Sequence, residues 1–321
     1  MHKIHIYRIS LMLAIFVLIF YMTWRPIVAD IEEIPYLIGM SQCNLGEPWR
    51  IKMNEDLIAR AQEYPEIRLV LTDAAQDNQK QIEDVKWLMD LGIDLLIISP
   101  NESEPLTPII SEAYQKIPVI VLDRKVNSDD YTLFIGADNR VIGMRAGEYV
   151  KNLLGPAGGH VVEIMGLPGS KPTVERSEGF RDSLSDRDNI RIVEEITANW
   201  LRDPAEDSFF AYLQTHKSEK IDVVYSHNDP MALGAYRAAQ KAHRTDMVFI
   251  GIDGLIGEEG GINLVKEGVL DITFIYPTGG AEAIECALQL LRRQTFSQKE
   301  IILDNIRIDK NNCDPYLHRE T

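Results

Sequence analysis

What constrains this chain most is an alternation that begins at Tyr36 and continues to the end: a short apolar run, a polar turn, then a stretch with helical spacing. The runs at 36–40, 67–71, 95–99 and 119–122 are too short for helices and rich in Val, Ile and Leu, which predicts buried strands. Helices are expected between them; in 78–91, for example, Ile82, Val85, Leu88 and Met89 share one face. A second series has strands near 160–165, 190–196, 223–226 and 248–252, with helices near 141–154, 174–184, 205–216 and 231–241. Parallel neighbours need long crossovers, so this order implies parallel sheets with helices on both faces. Two series predict an α/β chain of two doubly wound parallel-sheet lobes, and 321 residues with 45% apolar content suffice for two cores.

Three more extended stretches, 132–136, 271–276 and 305–308, fit neither series and are expected at crossings between the lobes, a three-crossing hinge. The late helix 280–293 then belongs to the first lobe. The expected division is residues 35–136 plus 277–303 for the N-terminal lobe and 137–276 plus 304–321 for the C-terminal lobe.

Residues 11–22 are twelve consecutive apolar side chains, preceded by Lys3 and Arg8, with no acid before Asp30. Residues 1–30 therefore read as a targeting segment. It is either a secretory signal peptide with a cleavage position at Ala29, or an uncleaved membrane anchor that starts near Ile9 and stops at Trp24 and Arg25. Either way the rest of the chain is expected to be extracytoplasmic, in the periplasm or at the cell surface. Forty-nine acidic against 33 basic residues give a charge of −16, which repels phosphate backbones and argues against a nucleic-acid partner. Cys43, Cys286 and Cys313 are odd in number and far apart, so no disulfide framework or metal pattern is expected; Cys286 reads as core and Cys313 as part of a polar tail.

Ligands of open parallel sheets bind beyond the carboxyl ends of the strands. Those positions hold Ser41, Gln42, Asn44, Glu47, Trp49 and Arg50, then Asp73, Asn101 with Glu102, and Asp123-Arg124. In the second series they hold Arg176, Trp200 with Arg202, Asn228-Asp229 and Asp253-Gly254. Planar hydrogen-bonding side chains beside tryptophans suit sugars: each hydroxyl donates and accepts, and the C–H face of the ring lies on an aromatic plane. Asp229 is expected to cap a helix, which leaves Asn228 free to face the cleft. Asn139 is also expected to be a helix cap.

From about Tyr36 to Ile308 the chain resembles the periplasmic sugar-binding proteins of ribose-binding type, type I periplasmic binding proteins, and among them those described for galactofuranose. The stretches that carry the resemblance are Ser41-Gln42 with Trp49-Arg50, Val121-Leu122-Asp123-Arg124, Gly136-Ala137-Asp138-Asn139, Arg176 before Gly179-Phe180, Ser226-His227-Asn228-Asp229, and Gly251-Ile252-Asp253-Gly254. The resemblance implies a pentose or hexose clamped by Trp49, Arg50, Asp123 and Arg124 from one lobe and by Arg176, Trp200, Asn228 and Asp253 from the other; Glu47 and Arg202 are added as candidate contacts. It also implies an ABC permease or a membrane sensor kinase as partner. One departure is visible. Where the family often has an amide or acid before a proline, Phe274-Ile275-Tyr276 precedes Pro277, which leaves that contact and the preferred sugar open.

Enzyme readings fare poorly. No G-x-G-x-x-G follows the first strand, and Gly166-Leu167-Pro168-Gly169-Ser170-Lys171 lacks phosphate-loop spacing. The histidines show neither metal spacing nor a partnered nucleophile, so no catalytic residue, metal or cofactor is expected. Asp123 and Asp253 resemble a glycosidase pair only superficially, because an arginine beside each is expected to lower its pKa. A repressor on this fold would need a basic DNA-binding segment where the chain has a hydrophobic one.

Overall fold

The computed structural model describes residues 36–317; the expected targeting segment at 1–30, the first residue of the expected first lobe and the last four of the expected second lobe lie outside them. In chain order the elements are β1 (Tyr36–Gln42), α1 (Pro48–Gln62), β2 (Ile67–Asp73), α2 (Asn78–Leu91), β3 (Leu95–Ile98), α3 (Ser103–Tyr114), β4 (Val119–Leu122) and β5 (Leu133–Ala137). Then come α4 (Asn139–Leu154), β6 (Gly159–Met165), α5 (Lys171–Leu184), β7 (Ile190–Thr197), α6 (Arg202–Thr215), β8 (Val223–Ser226) and α7 (Asp229–Lys241). The chain continues through β9 (Val248–Ile250), α8 (Gly261–Glu267), β10 (Ile272–Ile275), α9 (Gly280–Leu291), β11 (Glu300–Leu303) and β12 (Ile306–Asp309).

These strands form two six-stranded sheets, ordered β11-β5-β4-β3-β1-β2 and β12-β10-β9-β8-β6-β7. All pairings are parallel except the edge pair of β10 with β12. The two-lobed parallel architecture expected from the alternation is what forms. Continuous apolar runs make sense here because both faces of each sheet are covered. In β3, Leu95 and Ile97 pack with Met53 and Leu57 of α1, while Leu96 and Ile98 pack with Val85 and Leu88 of α2.

The three extra stretches are strands rather than bare crossings. β5 pairs with β4 and β11 in the first sheet, whereas β10 and β12 pair with each other in the second. The chain changes sheet just after β5, just after β10, and between β11 and β12. The sequence reading has no strand at β11, a four-residue edge strand without the buried apolar pattern of the others. The late helix α9 packs on α1.

Glycines draw α4 and α5 together. A Cβ at Gly143 would stand 2.2 Å from the Arg176 carbonyl oxygen, and one at Gly179 would stand 2.0 Å from that of Arg140. This close approach fixes the helix that carries Arg176.

Cys43, Cys286 and Cys313 are free and buried. Cys313 is therefore not in a solvated tail; it joins the second lobe's core beside Ile308.

Candidate functional site

The strand ends of the two sheets meet at one cavity, with an empty volume of about 260 Å³ up to the solvent. From the first lobe it is lined by Glu47, Trp49, Arg50, Asp123 and Arg124, and from the second by Arg176, Trp200, Asn228 and Asp253, with Pro172 and Tyr276 completing the wall. Each of the nine sequence candidates among them is at least nine-tenths buried.

Arg202 is the exception. It stands at the start of α6, about a third exposed, with its guanidinium on Asp203 and on Glu259 at 2.6 Å. It lines a separate depression at the mouth with Gly46 and Pro48. The acids beside it hold it outward.

The first lobe supplies a dense ionic cluster. Arg50 donates through Nη2 to Asp123 Oδ2 at 2.6 Å and through Nη1 to Ser99 Oγ at 2.8 Å. Arg124 donates through Nη1 to the Asn101 carbonyl at 2.9 Å, and Glu47 accepts from Asn44 Nδ2 at 2.8 Å. Burial pushes the Asp123 carboxyl up, but the Arg50 and Arg124 guanidiniums and the hydrogen bonds from Tyr276 and Arg50 together hold it below the usual carboxylate range. Arg50 Nε, Arg124 Nε and Nη2, and Trp200 Nε1 are buried donors without a hydrogen-bond acceptor among the described residues. Leaving such a group unmet costs about 1–3 kcal/mol, so a ligand offering acceptors there is favoured.

In the second lobe Arg176 donates through Nε to Asn139 Oδ1 at 2.8 Å and through Nη1 to the His227 carbonyl. Its guanidinium lies 5.5 Å from the Trp200 ring centroid, and that of Arg124 lies 5.4 Å away. Behind this wall His227 Nε2 meets Glu163 Oε1 at 2.9 Å, and Glu163 also receives Ser177 Oγ and Arg181.

Two capping expectations are corrected. Asn228, not Asp229, caps α7: its Oδ1 accepts from Met231 N at 2.9 Å while its Nδ2 donates to the Trp200 carbonyl at 2.9 Å. Asp229 instead turns inward and accepts from Thr273 Oγ1 and Gly254 N. Likewise Asp138 caps α4, which frees Asn139 to bind Arg176 and Tyr276.

The Asp253 carboxyl also departs from expectation. Burial, then the neighbouring Asp229 charge, push it well above its ordinary value despite the opposing pull of Arg176. The nearby arginine is outweighed because the carboxyl is desolvated and a second buried carboxylate is close.

Three cavity residues hold backbone conformations that favour glycine: Asp123 (φ 68°), Trp200 (φ 73°) and Asp253 (φ 144°). Such strain costs of order 1–3 kcal/mol per residue and clusters where side chains must be aimed.

The cavity is shut by contacts between the lobes. Ser103 N donates to the Gly169 carbonyl at 3.0 Å, and Gln76 Nε2 donates to the Asn199 carbonyl at 3.1 Å. Two α/β lobes closed over a buried polar cavity define a solute-binding protein.

The chain belongs to the periplasmic binding protein domain family, whose pattern it matches over residues 38–295. It is similar to the ribose import binding protein of Escherichia coli K12, 30% identical over 82% of this chain and 87% of that one. The galactofuranose-binding protein of the same organism is 27% identical over 74% of each chain. Among solved structures, the fructose-binding periplasmic domain of a hybrid two-component system is 43% identical, with a TM-score of 0.84 over 88% of this chain and 93% of that one. Membership of this family places the protein outside the cytoplasm. No helix among the described residues is long and apolar enough to cross a membrane.

Tyr276 and Pro172 also line the cavity, and neither is among the contacts expected from the sequence. The Phe274-Ile275-Tyr276-Pro277 departure from the family pattern was the available signal for Tyr276, whereas a proline at a helix start carries none.

Proposed function

We propose that this protein captures a neutral monosaccharide between its lobes, for ABC-type sugar import, and catalyses no reaction on it. The supporting observation is the balance inside the cavity: Arg50, Arg124 and Arg176 face Glu47, Asp123 and Asp253, and all six are buried. Glu47 and Asp123 offset most of the arginine charge and leave little net field to select an anion, while the unmet donors and the tryptophans suit hydroxyls and a C–H face. Both Asp123 oxygens are engaged, by Tyr276 and Arg50, which suits holding a hydroxyl better than attacking a bond. The nine cavity residues named above are the proposed ligand contacts.

The lobes are taken as residues 35–136 plus 277–303 and residues 137–276 plus 304–321. They open in the free protein, and a sugar that touches both favours closure by differential binding.

Calorimetric titration of D-fructose, D-ribose and D-galactose against gluconate and ribose 5-phosphate tests the ligand class. Binding of neutral sugars alone is expected; exclusive binding of the acids or phosphates refutes it. Small-angle scattering should show compaction when the tightest sugar is added.

The similarity to the fructose-binding domain of a two-component system favours a second reading, in which the closed form signals to a membrane histidine kinase. Mass spectrometry of the protein's N-terminus in its native membrane separates the two: a retained segment 1–30 supports sensing, because tethering raises the local concentration beside a membrane partner. Removal of that segment supports import.

A further inference from the structure

The cavity wall includes a residue at the carboxyl end of β10, where the second sheet hands the chain back to the first. Tyr276 sits where the chain leaves β10 to return to the first lobe, and it is 4% exposed. Its ring centroid lies 5.1 Å from that of Trp49, and the Arg176 guanidinium lies 4.7 Å from it. The hydroxyl donates to Asp123 Oδ1 at 2.6 Å and accepts from Asn139 Nδ2 at 3.2 Å. The carbonyl accepts from Trp49 Nε1 at 2.7 Å. One side chain thus touches cavity groups from both lobes.

Two consequences follow from this placement. Because Arg50 occupies Asp123 Oδ2 and Tyr276 occupies Oδ1, each oxygen has spent part of its accepting capacity. A ligand hydroxyl can reach Asp123 only from the side these two leave open. The phenol ring also forms part of the cavity wall, beside Asp123 and Arg176. A short side chain there would leave a void, since packed surroundings relax only partly around a deleted ring. Asp123 and Arg176 would border that void, so it could accept a polar substituent.

We propose that Tyr276 is a specificity-determining residue: its ring sets the upper size limit of the ligand, and its hydroxyl fixes the orientation in which Asp123 meets the ligand. This rests on the reading that the cavity takes a monosaccharide. The two roles separate in two variants, because Tyr276→Phe keeps the ring and loses the hydroxyl, whereas Tyr276→Ala loses both.

The test is calorimetric titration of the wild type and both variants with D-ribose, D-fructose, D-galactose and N-acetyl-D-glucosamine. For Tyr276→Phe, the affinity for the best wild-type ligand is expected to fall about tenfold, in line with one lost hydrogen bond to a charged group, with the order of preference by size unchanged. For Tyr276→Ala, the affinity for N-acetyl-D-glucosamine relative to D-ribose is expected to rise at least about tenfold. Tyr276→Gln, shorter and polar, serves the same purpose if the alanine variant melts below the titration temperature. An unchanged size preference in the shortened variant overturns the size limit. A Tyr276→Phe affinity within twofold of wild type overturns the role of the hydroxyl. A wild type that binds none of the four sugars removes the sugar reading itself, and the proposal with it.

Discussion

Arg50 and Asp123, 73 residues apart in sequence, meet at 2.6 Å in a site where both side chains are about 3% exposed. Removing one partner of a buried pair costs roughly 3–5 kcal/mol, because the other charge stays buried and unmatched. Arg50 and Arg124 would both lose compensation in Asp123→Ala, and the penalty falls on the closed, ligand-bound form. Affinity for the best-bound sugar should fall more than about a hundredfold, measured by calorimetry. A Kd within tenfold of wild type would contradict the ionic cluster as a binding element.

Gly166 lies under the Trp200 indole, where an added Cβ would stand 2.3 Å from ring atoms Cε2 and Cζ2. Gly166→Ala should push the indole toward the ligand. Overpacking of this kind costs about 1–3 kcal/mol, so sugar affinity should drop about tenfold or more. Titration together with a thermal melt checks this: an unaltered Kd would mean that the indole does not touch ligand.

Arg202 provides the opposite expectation. Its partners Asp203 and Glu259 are themselves exposed, and surface pairs contribute about 0–1 kcal/mol. Arg202→Ala should leave sugar affinity within about twofold of wild type. A large loss would return Arg202 to the binding site.

Burial holds the His227 imidazole below its ordinary value, against the pull of Glu163. In the unfolded chain the same group takes up a proton near pH about 6.5. A depressed folded-state value means that the stability it contributes is complete above that pH and is lost as pH falls through the folded-state value. His227→Gln should therefore lose less stability than wild type between pH 7.5 and 5.5 in urea titrations. The raised Asp229 and Asp253 carboxyls act in the opposite sense, gaining stability as pH falls, but they are common to both proteins and cancel in the difference. Parallel pH profiles would rule out His227 as the source.

The strands were legible because each sheet is covered on both faces: Leu95, Leu96, Ile97 and Ile98 all had to be apolar, and such a run is visible in one dimension. β11 was not, because a short edge strand escapes that requirement. Nine of the ten expected contacts line the cavity for a related reason, since strand-end positions face a cleft whatever the details of packing. Arg202 has the same chemistry as Arg176 and comparable local surroundings; Glu259, 57 residues downstream, pairs with it at the surface.

Local sequence thus determined the order of elements, their division into two parallel sheets, and the polar groups carried at the strand ends, because periodicity and turn chemistry act over a few residues. Tertiary structure alone decided that Asn228 rather than Asp229 caps α7, that Asp253 holds its proton more tightly than an ordinary carboxyl, and that Tyr276 joins the cavity wall. Each of these depends on desolvation or on a partner many residues away, and the distance between such groups exists only once the chain has folded.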